Sequence, residues 1–231
     1  MLELFSYGQS GWGDELLQGL GTTLALAIIA FAGGCIAGLL LMILRRQGRV
    51  SRWLVVTYTT IFRGVPELLV LYLFFFGSGA VVRSVAQSFG YTERINLSGF
   101  ALGAFALMVI VTAYTSEAFR GAAKSIPKGQ IEAAHAYGFS NPQAFVLIEL
   151  PQLLRVSLPA LGNIWLVTLK DTALVSLTAV AELMRQATVA AGSTHKPFTF
   201  YAVAALLYLL ISFGSERLFG RAENKFALKA G

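Results

Sequence analysis

A chain of 231 residues that is 56% hydrophobic and only 13% charged lacks the polar surface of a water-soluble domain, which carries about a quarter charged residues. Its mean hydropathy of +0.67 also excludes disorder. The net charge of +6 then marks the basic loops of a polytopic membrane protein rather than a nucleic-acid surface, and at about 20 residues per span the length allows five or six helices without a sizeable soluble domain.

In chain order, the first predicted span is 16–44, an uncharged run between Glu15 and Arg45. Cys35 is the sole cysteine, so no intrachain disulfide can form, and it sits in this span beside Gly33, Gly34 and Gly38, a pattern for close helix packing. The second span, 53–76, contains Arg63, Pro66 and Glu67, and the proline predicts a kink. After a short loop, 78–94, the third span covers 95–116 and is free of charge. The fourth, 156–181, is interrupted by Lys170 and Asp171, and the fifth, 197–215, opens on Pro197, which suits a first helical turn. His135 and His195 lie far apart and outside the spans, so no helical zinc pair is expected.

Orientation follows from Lys and Arg. The loops after spans one and three and the C-terminal tail hold 12 of the 18 basic residues, Arg45 through Lys229. The other side has Arg83, Arg94, Arg185 and Lys196, against Glu3, Asp14 and Glu15. The positive-inside rule therefore puts the N-terminus outside and the C-terminus in the cytoplasm. No basic n-region or cleavage site marks a removable signal.

The longest polar insert is 117–155. Ser125 and Pro127 predict a helix start, with the helix running through Gln130–Tyr137 to Gly138 as a left-handed C′ residue. Ser140-Asn141-Pro142 starts a second short helix that Leu150-Pro151 ends. Ile131, Tyr137, Phe139 and Phe145 are its expected apolar anchors. On this pattern alone, a helical hairpin resting on the bilayer remains as good a reading as a functional loop.

Glu132-Ala133-Ala134, three residues, Gly138, nine residues, then Ile148-x-Leu150-Pro151 resembles the EAA loop of permease subunits of binding-protein-dependent ABC importers. Arg63-Gly-Val-Pro66, Pro127–Glu132, Leu158–Asn163 and Lys170–Ser176 look like the polar amino acid subfamily, which includes the histidine/lysine-arginine-ornithine permease Q subunit and its opine-permease relatives. The resemblance implies an all-α polytopic chain of the type I ABC importer permease fold, with five transmembrane helices in a bacterial inner membrane. It implies a loop that docks a coupling helix around 136–145 into an ATPase, with Glu132, Ala133, Ala134, Gly138, Phe139 and Pro142 as coupling residues. The implied partners are a homologous permease subunit, a dimer of ATPase subunits and a periplasmic solute-binding protein. No cofactor is expected in this chain. ATP belongs to the partner, because no G-x-x-x-x-G-K-[ST] phosphate cradle is present.

Ionisable residues within a span are costly and mark function. Lys170 and Asp171 fall near mid-bilayer, and Thr172 with Gly162, Asn163 and Thr168 could satisfy a locally broken helix, the geometry in which transporters hold solute. Asp171 is either the counter-ion of a passing amino acid or a structural partner of Arg63 or of another subunit. Arg63 and Glu67, at i and i+4, are either a buried ion pair in a kinked helix or, through Glu67, a substrate contact. His195 and Lys196 either meet a binding protein or are solvated. An importer of polar, above all basic, amino acids or opine-like derivatives by alternating access accounts for the motifs. A stand-alone ion-driven transporter leaves the EAA spacing unexplained, and a membrane hydrolase lacks an intramembrane histidine.

Overall fold

The computed structural model describes residues 2–8, 11–88, 98–178 and 180–226, and these are helical, without a strand. The helices are α1 (Gly13–Leu44), α2 (Arg49–Gly64), α3 (Glu67–Ser88), α4 (Gly99–Ser125), α5 (Lys128–Ala136), α6 (Asn141–Ala144), α7 (Leu150–Asp171), α8 (Leu183–Thr194) and α9 (Pro197–Phe226). A π turn, Phe145–Glu149, joins α6 to α7, and a 3-10 segment, Thr172–Thr178, prolongs α7. Among the described residues four helices are long and apolar enough to cross a membrane, and a fifth span is formed if α2 and α3 count as one. Residues 95–97 of the third predicted span, Arg94 and Lys229 lie outside the described residues, as do the side chains of Glu3 and Arg83.

The axis of the bundle is the seam between α1 and α4. Thr23, Ala27, Ala30, Gly34 and Gly38 are buried at helical spacing along α1, so its backbone can approach α4 closely. A Cβ on Gly38 would collide with Thr115 Oγ1 and lie 2.8 Å from the Ser116 backbone nitrogen. The Thr115 hydroxyl donates across the seam to the Gly34 carbonyl at 2.8 Å. Phe31 then meets the edges of Trp165 and Phe219 at 5.4 and 6.2 Å, joining α1 to α7 and α9.

Several elements depart from the hydropathy reading. Span two is two helices bent by 105°. Pro66 disfavours helical geometry at the residue before it, and Val65 is extended at φ −90°, ψ 136°. The region 78–88, expected as loop, continues α3. Helix α4 runs on to Ser125 instead of stopping near 116, because Glu117 takes charge-assisted hydrogen bonds from Arg120 at 2.5 and 2.7 Å and from Arg45, which keeps those charges satisfied on the helix. Ser125 is therefore the end of α4, its hydroxyl donating back to Ala122, and Pro127 occupies the N-cap of α5. Leu150-Pro151 does not end a helix. The π turn places the Leu150 N–H on the Phe145 carbonyl, and Pro151 enters the first turn of α7, where its missing N–H costs little.

The most heavily bonded polar group in the interior is Glu182, which has no exposed surface. Its carboxylate accepts the N–H groups of Arg185 (2.6 Å) and Met184 (2.9 Å), capping α8, and the hydroxyls of Tyr208 (3.0 Å) on α9 and Thr23 (3.3 Å) on α1. Thr23 Oγ1 in turn accepts from the Leu183 N–H at 3.1 Å. Gly19 permits this approach, since a Cβ there would lie 3.0 Å from Leu183 Cα.

Two outcomes test this packing. Gly38→Leu is expected to destabilise the purified protein by about 1–3 kcal/mol through overpacking. Gly21→Leu, where a Cβ meets nothing within 4 Å, should be close to neutral. Equal thermal unfolding midpoints for the two variants would contradict the seam. Glu182→Gln should cost about 1–3 kcal/mol, because one backbone N–H loses its acceptor, and Glu182→Ala should cost more; an alanine variant as stable as the parent would remove Glu182 from the framework.

Candidate functional site

A cavity of about 220 Å³ opens between α4 and α7, lined by Ile110, Val111 and Tyr114 on one helix and Asn163, Ile164, Val167, Thr168 and Asp171 on the other. Asp171 is the last residue of α7 and is half-buried. The helix is unbroken through Gly162, Asn163 and Thr168, in contrast to the expected break, and tightens to 3-10 only at Thr172. Gly162 serves packing instead: a Cβ there would meet the Phe219 ring at 3.3 Å. The threonine hydroxyls are spent on their own helix, Thr168 donating to Ile164 at 2.8 Å and Thr172 to Leu169 at 2.7 Å.

Tyr114 connects this cavity to the bend in span two. Its hydroxyl donates to Glu67 Oε1 at 3.1 Å, and the Arg63 guanidinium lies 5.7 Å from its ring centre, within cation–π range. Arg63 and Glu67 do not form the expected buried ion pair. The Pro66 bend ends the shared helix face, Arg63 is exposed, and both residues address Tyr114 instead. Among the described residues Asp171 has no ion pair with Arg63 either. Glu67 and Lys170 both act on Asp171 through space.

Of the five residues predicted for a solute path, Asp171 lines the cavity, and Glu67 and Arg63 reach its wall through Tyr114. Lys170 is exposed on the outside of α7, and Thr172 is buried 3.4 Å from the Tyr208 hydroxyl, facing the Glu182 cluster. The cavity therefore has an apolar wall, one half-buried carboxylate, a second carboxylate behind a tyrosine, and the Asn163 side chain. That distribution can hold a small solute with a cationic or ammonium group. Tyr114 escaped the sequence reading because an aromatic residue in a charge-free span, beside the hydroxyls of Thr112, Thr115 and Ser116, carries no signal that sets it apart.

The second constellation is the 128–149 segment. Gly138, at φ +85°, closes α5 in a Schellman arrangement: the Phe139 N–H reaches the Ala134 carbonyl at 3.0 Å and the Gly138 N–H reaches His135 at 2.9 Å. A side chain at that position would be strained, which explains glycine here. The chain then reverses into α6, where Gln143 Oε1 accepts the Ser140 N–H at 2.9 Å. Glu132, Ala133, Gly138, Phe139 and Pro142 are exposed, while Ala134 is buried. Phe145 packs on the core, but Tyr137, expected as an inward anchor, is 87% exposed, and Phe139 also faces outward. Two contacts fasten the segment to the bundle. Arg46 forks onto the buried Glu149 at 2.5 and 2.9 Å, and Gln152 donates to Gln130 at 2.7 Å. Neither contact was visible in the sequence, since each joins residues distant along the chain.

Residues 30–227 match the model of the family described as binding-protein-dependent transport system inner membrane component. The chain is similar to the octopine transport system permease protein OccQ of Rhizobium radiobacter, with 43% identity over 225 residues covering 96% of this chain and 94% of that protein. It is 37% identical over 223 residues to the histidine/lysine/arginine/ornithine transport system permease protein HisQ of Salmonella typhimurium, covering 96% of each. The fold is that of the crystal structure of an amino acid ABC transporter with histidines, at a TM-score of 0.78 and 28% identity over 93% of this chain and 95% of that one. A helical bundle with an apolar exterior and an exposed EAA segment therefore has its place: the chain belongs to the family of inner membrane components of binding-protein-dependent transport systems.

Proposed function

We propose that this permease subunit forms part of the path by which an ATP-binding-cassette importer carries basic amino acids or opine-like derivatives from periplasm to cytosol, and that Asp171 meets the solute's cationic or α-amino group. The observation that carries the reading is the half-buried Asp171 carboxylate on an otherwise mostly apolar cavity wall, with Glu67 held behind Tyr114. Such a wall favours a cation, because a half-buried carboxylate facing apolar side chains is costly and a cationic solute relieves that cost on arrival. Relatives named for octopine and for histidine/lysine/arginine/ornithine transport support the same substrate class. A stand-alone ion-driven transporter has no use for the EAA segment.

The exposed segment around Tyr137, Phe139 and Pro142 is the surface we assign to a separate ATPase subunit, with Glu132, Ala133, Ala134 and Gly138 setting its shape. Any displacement there reaches the cavity along one rod. The π turn leads into α7, and its 22 residues, about 33 Å of helix, end at Asp171. Arg46–Glu149 ties the same point to the end of α1. ATP closure that draws these segments together would thus tilt α7 against α4 and open the cavity alternately to each side. Lys170, outside this cavity, is available to a homologous permease subunit, and His195 and Lys196 to a solute-binding protein. A bacterial inner membrane, N-terminus outside and C-terminus in the cytoplasm, suits this arrangement.

Asp171→Asn should lower uptake of labelled arginine by about tenfold or more, the worth of one charge-assisted hydrogen bond, while assembly and thermal stability stay unchanged. Unaltered uptake by a correctly assembled variant would make Asp171 structural.

A further inference from the structure

A second cavity, of about 550 Å³, lies at the end of the bundle where α1, α2 and α4 converge, and six cationic side chains line it: Arg45, Arg46, Arg52, Arg120, Lys124 and Lys128. Two carboxylates answer them, Glu117 holding Arg45 and Arg120, and Glu149 holding Arg46. Among the described residues Arg52, Lys124 and Lys128 make no ion pair, and all three are exposed. Gathering like charges around a hollow is unfavourable unless an anion fills it.

The same three helices frame an apolar groove of about 480 Å³, with Ala37, Leu40 and Leu44 on α1, Leu54 on α2, and Phe105 and Val109 on α4 among its walls. Leu40 and Leu54 are 60% and 53% exposed on it. On α4 the groove residues Phe105, Val109 and Thr112 lead at three- and four-residue steps through Ser116 to Arg120 and Ala123 of the basic cavity, so on that helix the two hollows share one face. The groove belongs to the apolar, membrane-spanning lengths of α1 and α4, and the basic cavity lies at their ends.

We propose that this cleft binds one anionic phospholipid, its headgroup phosphate among Arg52, Lys124 and Lys128 and an acyl chain in the groove. A basic pocket between helices at a membrane boundary suits an acidic headgroup, and the adjacent groove supplies what a free phosphate would not use. The lipid would brace α2 against the α1–α4 seam beside the Arg46–Glu149 fastening.

The full-length chain, purified from its membrane with its companion subunits, is incubated with cardiolipin, phosphatidylglycerol or phosphatidylcholine and read by native mass spectrometry. Cardiolipin and phosphatidylglycerol should be retained in preference to phosphatidylcholine, and millimolar inorganic phosphate should not displace them. Arg52→Gln with Lys124→Gln should weaken retention by about tenfold to thirtyfold. Ala37→Trp, which fills the groove and leaves every charge in place, should also reduce it. The unfolding midpoint of each variant, measured in parallel, excludes a folding defect. Equal retention of phosphatidylcholine, displacement by inorganic phosphate, retention unaffected by the double substitution, or retention unaffected by Ala37→Trp would each overturn the proposal. The last two would assign the groove to bulk lipid or a partner subunit and the basic cavity to a soluble anion.

Discussion

One carboxylate without solvent contact sets the geometry of the upper half of this bundle. Glu182 can remain in the interior only because four donors converge on it, two from the start of α8 and one each from α1 and α9. Satisfying a buried acid in this way is demanding, and the demand fixes the relative positions of three helices. Its neighbour Tyr208 lies 3.4 Å from Thr172, so the same cluster touches the chain where α7 changes from α to 3-10. Asp171 is the residue before that change. It ends α7 on the cavity wall.

The lower half depends on ion pairs that join distant parts of the chain. Arg45 and Arg120 share Glu117, and Arg46 holds Glu149. These contacts fasten the ends of α1 and α4 to the π turn from which α7 begins. Between the two halves runs the glycine seam of α1, which brings α4 close enough for Tyr114 to face Asp171 across the cavity. The cavity that Asp171 lines and the exposed EAA segment therefore lie at the two ends of one helix, and the contacts that hold either end also position α7.

Much of this was legible in the sequence. The uncharged runs had to be spans, Pro66 had to break the second of them, and Gly138 had to turn the chain where the EAA spacing places it. What escaped the reading shares a physical cause. Glu117 and Arg120 look like loop residues by hydropathy, yet a helix keeps them once their charges are answered by each other and by Arg45. Pro151 looks like a terminator, yet a π turn accommodates it. Glu182 lies just past the fourth predicted span and drew no reading of its own, because the hydroxyl of Thr23 that meets it is 159 positions away. Tyr114 carried no signal within its span, and the supposed Arg63–Glu67 pair dissolved because the bend that separates them gives each residue to Tyr114. Local patterns show where helices begin and end, whereas the partners of buried polar groups are tertiary facts.

In the proposed reading, transport through this chain is driven by ATP hydrolysed on another subunit. The direct measurement is arginine uptake into vesicles reconstituted with the chain and its co-purified subunits, with ATP supplied on the EAA side or with an imposed proton or sodium gradient. Uptake should require ATP and the accompanying ATPase and ignore the gradients. Uptake by this chain alone, driven by a gradient without ATP, would contradict that reading.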